Sequence, residues 1–337
     1  MSPDGDDSNT GTKTSPFKTL EAARTAIRAL DTGARKAPVS VYLRAGTYRL
    51  DDTFELSQAD SGTMLSPVTY QAYGNEKVVI TGSKQISSSN FVPLTDAGKI
   101  NMLADQTTAP NIKVCDLAAL GLTNYGEIKR RGFGISLEAM PQMELSVDGE
   151  RQILARYPNE GFTKYESVIR AGTRTKAEIT NGAEFQYTGD RPALWNKPGE
   201  IFVSGVLGAN YSYDYYPVGS IDTQNKIVTL SEGAIVPYYS KHFFYYENIF
   251  EEIDSPGEYY IDRENGLLYL YPQKNLDSNT NISVSYLEKP LIKTNNASYV
   301  AFKGLHLDGG RDSAFLASET ERLQIIDCDI RNFGKKG

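Results

Sequence analysis

Short runs in which apolar and polar residues alternate recur along this 337-residue chain, each closed by Gly, Asp or Asn, and that recurrence constrains the fold most. VSVYLRAG sets Val39, Val41 and Leu43 on one face, SPVTYQAYG does the same with Val68, Tyr70 and Ala72, and KVVITGS follows. Side chains alternate across a strand, so such a run reads as a strand with one buried face. The groups of strands repeat about every 20 to 30 residues, a period that predicts the stacked turns of a parallel β-solenoid.

The pattern breaks at about residue 90. From there to about residue 285 the runs are longer, more aromatic and joined by tight turns, as in MELSVDGERQILARYP, SIDTQNKIVTLSEG and GEYYIDRENGLLYLYP. Asp148-Gly149 and Glu264-Asn265-Gly266 sit between alternating runs, which is a hairpin signal, and the block reads as an antiparallel β-sandwich. The solenoid style returns in NASYVAFKGLHLDGG, with Val300, Phe302, Leu305 and Leu307 inward. DSAFLAS and RLQIIDCDIRNFG continue it, with Leu323, Ile325, Cys328 and Ile330 read as inward. The expected organisation is residues 1–90 as a cap and first solenoid turns, 91–285 as an inserted sandwich, and 286–337 as the resumed solenoid. A solenoid stopping there would leave a strongly templating edge, so residue 337 is expected to be a cut edge.

A helix is predicted at about Thr19 to Leu30, where Leu20, Ala23, Ile27 and Leu30 share a face suited to cover a solenoid end. Before it, Asp4, Asp6, Asp7 and Asn9 leave two readings, a solvated turn or a calcium loop. The formal charge of −7 argues against nucleic acid or an anionic membrane as partner, since either wants a basic face. No apolar run approaches the ~20 residues that span a bilayer. Cys115 and Cys328, in unrelated contexts, give neither a disulfide framework nor a metal cluster, and with His242 and His306 as the sole histidines no histidine-based metal site is expected.

Three stretches carry a family resemblance. SPDGDDSNTGTKTSPFKTLEAARTAIRAL resembles the start of many secreted bacterial right-handed β-helix proteins. MPQMELSVDGERQILARYPNEGF (140–162) and ENIFEEIDSPGEYYIDRENGLLYLYP (247–272) resemble the insert of β-helix glycoside hydrolases of the β-xylosidase and fucosidase/xylanase type, with Tyr259 standing where relatives often carry Trp. The resemblance implies an all-β protein: a right-handed parallel β-helix with an N-terminal cap helix, interrupted by an antiparallel β-sandwich and truncated at its C-terminus. It implies secretion, with an initiator Met in place of a removed leader, and a polysaccharide or oligosaccharide as substrate. It also implies a carboxylate pair on the resumed helix, mostly beyond residue 337, so that this stretch alone is expected to be inactive.

Several residues can then be weighed for a site. Asp308 and His306 alternate with Leu305 and Leu307 and should face outward, while Arg311 and Asp312 follow in a Gly-rich loop. Asp308 or Asp312 could line a sugar groove as a catalytic carboxylate, with His306 and Arg311 binding substrate; the plainer reading is a solvated turn with a local ion pair. Asp327 and Asp329 flank Cys328 and suggest either a calcium-recruiting pair or a solvated face. Arg156 and Asn159, in the loop LARYPNEG, could reach a neighbouring groove, and Trp195 or the tyrosines of NYSYDYYP could stack on sugar rings. Glu251 and Glu252 are adjacent and, in a strand, would point opposite ways. No cofactor beyond that calcium is expected. Two rival functions stand beside hydrolysis: a polysaccharide lyase assisted by calcium or Arg, and a non-catalytic carbohydrate-binding protein.

Overall fold

The computed structural model describes residues 1–30, 37–132, 141–172, 182–233, 238 and 243–335, and Met140, His242 and Gly337 lie outside the described residues. The chain forms two compact units, residues 1–86, 140–149 and 283–337 in one and 87–139 with 150–282 in the other.

In the first unit the alternating runs pair in parallel. Val39–Leu43, Val68–Ala72, Val300–Lys303 and Gln324–Ile326 lie side by side in one sheet. Gly46–Arg49, Val78–Thr81, His306–Gly310 and Asp329–Phe333 form a second, and Phe54–Leu56, Ile292–Asn295 and Phe315–Ser318 a third. The register puts Val41 opposite Tyr70 and Tyr70 opposite Phe302, so like positions of successive strands bury together. Tyr70 and Phe302 stack at 5.4 Å, and Phe54 and Phe315 meet them edge-on. Ile325 continues the same row opposite Phe302, yet it is exposed, because its strand is the edge of the sheet.

Helix Leu20–Ala29 turns Leu20, Ala23 and Ile27 into this core. Its start explains the acidic N-terminal segment. Asp7 accepts the backbone N–H groups of Lys18 and Thr19 and the Thr19 hydroxyl, and the Thr19 hydroxyl oxygen in turn accepts from Ala22 N, satisfying donors that a helix start leaves open. Asp6 accepts from the backbone N–H and hydroxyl of Ser8.

The second unit is antiparallel. Thr163–Arg170, Glu184–Tyr187, Ile227–Leu230, Tyr213–Asp222, Phe202–Val206 and Phe243–Glu247 follow one another, and the last pairs back onto the first. Phe202–Val206 is hydrogen-bonded on both sides, so these six strands close into a barrel without a free edge. Its interior is aromatic: Tyr165, Phe185, Phe244, Tyr246 and Trp195 form a chain of ring contacts of 4.8 to 5.4 Å. A separate sheet holds the predicted hairpin, Glu258–Asp262 against Leu267–Leu270, with Gly266 at φ +70° in the turn.

The expected fold class is therefore corrected. The strands form separate small sheets and a closed six-stranded barrel, in place of a right-handed parallel β-helix interrupted by a β-sandwich. Alternation identifies a strand and its buried face, but each parallel sheet is three or four strands wide, and the antiparallel strands close on themselves instead of forming two facing layers. Glu251 and Glu252 differ from expectation too, since both are buried in the 3-10 turn Phe250–Glu252.

Candidate functional site

The polar cluster that the fold assembles in the first unit lies on strands His306–Gly310 and Asp329–Phe333. Leu305 and Leu307 are fully buried, so the alternate positions His306 and Asp308 face the other way. The parallel register puts His306 beside Asp329 and Asp308 beside Arg331. His306 Nδ1 lies 3.2 Å from Asp329 Oδ2, and Arg331 donates to the same carboxylate oxygen. Because a carboxylate can only accept, the Nδ1–H tautomer of His306 completes this contact. The hydrogen bond from His306, and after it that from Arg331, holds the Asp329 carboxyl below the ordinary carboxylate range. Asp308 is held separately: the Asn332 amide donates to its Oδ1 at 2.8 Å and to the Gly149 carbonyl at 3.0 Å. The arrangement is two half-exposed carboxylates on neighbouring strands, set diagonally, one paired with cationic or protonated nitrogen and one with a neutral amide.

The Gly-rich stretch following Asp308 is tighter than a loop. Gly309 takes φ +82°, and a Cβ there would come within 2.0 Å of Ser83 Oγ. Arg311, 1 % exposed, donates from Nε to the Pro141 carbonyl at 2.8 Å and pairs through Nη1 with Glu288 at 3.0 Å. It ties three chain segments together. Asp312 accepts from the Ser313 N–H at 2.8 Å and lies 3.5 Å from Lys335 Nζ, so it organises its own turn.

In the second unit, the residues proposed for sugar contact have internal partners. Trp195 is buried against Tyr157 and Tyr246, and its indole N–H donates to Glu252 at 2.6 Å. Arg191 forks onto the same carboxylate and reaches Asp254 at 2.8 Å, and Asn159 donates to Asp254 at 2.6 Å. Arg156 donates to the carbonyls of Pro158 and Gly161, pinning its loop, while its guanidinium lies 3.6 Å from the centroid of the Tyr245 ring. Of the residues singled out in the sequence, the fold brings His306 and Asp308 together with Asp329. Arg331 and Asn332 were missed, although they stand on the strand whose first residue is 23 positions after His306 and directly beside it in register. Among the described residues no group of three or more His, Cys, Asp or Glu is arranged to hold a metal ion.

No protein-family model matches the chain. An uncharacterised Bacillus subtilis protein, YwoF, is 37% identical over 94 residues, which cover 28% of this chain and 18% of that protein. Among solved structures the chain resembles a glycoside hydrolase, with a TM-score of 0.64 and 20% identity over 92% of this chain and 50% of that one. A complex of XylC with xylose matches at a TM-score of 0.38 and 12% identity, over 95% and 39% of the two chains. The chain thus has a glycoside-hydrolase-like fold and spans half the length of the hydrolase it resembles.

Proposed function

We propose that the Asp308–Asp329 face belongs to a glycoside hydrolase acting on a complex, plant-type polysaccharide, with the carboxylate pair inside this chain and not, as the resemblance implied, mostly beyond residue 337. One observation carries the reading: two carboxylates with contrasting partners stand on adjacent strands of one parallel ladder. Strands ~4.8 Å apart and a two-residue offset of ~6.6 Å set their Cα atoms about 8 Å apart. Both side chains leave the same outward face, so their carboxyl groups are set apart on the scale of the ~6.5–9.5 Å that inverting hydrolysis uses to hold a water between them. Asp329, kept ionised by His306 and Arg331, suits the base that takes a proton from that water as its oxygen attacks the anomeric carbon. Asp308 takes the remaining role by its place on the neighbouring strand, delivering a proton to the departing glycosidic oxygen, so that one proton is taken, one is given, and the bond is replaced by C–OH. The glycoside-hydrolase-like fold supports the same reading.

The product distinguishes this from elimination. Incubated with a panel of plant polysaccharides, the protein is expected to release saturated sugars with new reducing ends, detected by NMR. A 4,5-unsaturated uronate at the new non-reducing end would contradict hydrolysis and favour a lyase in which Arg331 neutralises the uronate.

A further inference from the structure

We propose that the outer face of the barrel binds an oligosaccharide through its exposed aromatic rings. Antiparallel register lines up three rows on this face. Pro217, Phe202 and Glu247 form one; Tyr215, Ser204 and Tyr245 the next; and Tyr213, Val206 and Phe243 the third. The first row is largely buried, whereas Tyr213 and Phe243 are 47% and 39% exposed. Phe162, 48% exposed, packs edge-on against Phe243 at 4.9 Å and lies 6.0 Å from Tyr245. Two strand spacings separate Tyr213 from Phe243, about 10 Å, wide enough for a short saccharide chain to lie across Val206.

The chemistry between the rings selects the occupant. Tyr213 hydroxyl lies 3.1 Å from Oγ of the buried Ser204 and 3.5 Å from the Tyr245 hydroxyl, so the Tyr213 and Tyr245 hydroxyls, able to donate and accept, border the exposed rings. Arg131 and Arg156 lie over the rings of Tyr215 and Tyr245, so the rings left open to a ligand are those of Tyr213, Phe243 and Phe162. A pyranose presents an apolar C–H face and a rim of hydroxyls, which matches flat rings bordered by hydroxyls. The patch is a few side chains, far short of the roughly 20–30 residues a side that a stable protein interface uses.

Binding is read without turnover by titrating the Asp329→Asn protein with cellohexaose and xylohexaose in a calorimeter. Tyr213→Ala and Phe243→Ala, added singly, are each expected to weaken the hexasaccharide that binds by roughly three- to tenfold, with the unfolding midpoint retained because both rings are exposed. Phe162→Ser provides a third variant on a loop. Absence of heat with both sugars, or an affinity that none of the three substitutions changes, would overturn the proposal. Self-association in sedimentation that Tyr213→Ala abolishes would also overturn it, since the face would then join two copies of the chain. The proposal stands apart from the hydrolase reading, whose failure would appear in the reaction product and not in these titrations.

Discussion

At the scale of single residues, burial decides what each polar group can do. Asp214 sits inside the barrel at 1 % exposure, with the Ser212 hydroxyl donating to one oxygen, and burial pushes its carboxyl up to about 6. A folded-state value above the unfolded one means that the native protein holds a proton which the unfolded chain has released. The resulting stabilisation is complete below about pH 4 and disappears as pH rises through about 6. Relative to Asp214→Asn, which does not titrate, the wild type should lose about 2 kcal/mol between pH 4 and pH 7, measured by urea unfolding at each pH. Parallel stability curves would refute the assignment. Residue roles were partly legible in the sequence. Alternation alone places Asp308 and His306 on the outward face. It could not place Trp195, because the indole's partner Glu252 is 57 residues away and Arg191, which shares that carboxylate, is 61 residues from it.

At the scale of elements, the strands and turns were more legible than their closure. Asp148 and Gly149 both take positive φ, 54° and 82°, between strands Leu145–Val147 and Glu150–Arg151, as the Asp-Gly pair predicts. The pairing of Phe202–Val206 with Phe243–Glu247, which turns a sheet into a barrel, has no local signature; it rests on packing between segments about 40 residues apart. Gly205 permits that seam. A Cβ on it would lie 2.4 Å from the Phe243 carbonyl oxygen and 2.6 Å from Phe244 Cα, backbone atoms that cannot rotate aside. Gly205→Ala is therefore expected to cost about 1–3 kcal/mol in urea unfolding, as overpacking of a close contact does. Retention of full stability would mean that the two strands do not approach this closely.

At the scale of the whole molecule, the two units use the same short strands in different ways. Parallel ladders stack like positions of successive strands, so buried rows such as Val41, Tyr70 and Phe302 on one side imply polar rows on the other. That stacking brings Asp308 beside Arg331 and His306 beside Asp329, a pair of contacts spanning 23 residues of chain. The barrel instead buries its rings inside and sets a second aromatic row outside. Asp308 and Asp329 are proposed to carry glycosidic cleavage together, and the rates of two single variants test that pairing. On a polysaccharide that the protein hydrolyses, Asp308→Asn and Asp329→Asn should each lower kcat by about 10²–10⁴-fold while the protein remains folded. Rates within about twofold of wild type for both variants would contradict the account and move the chemistry to other residues.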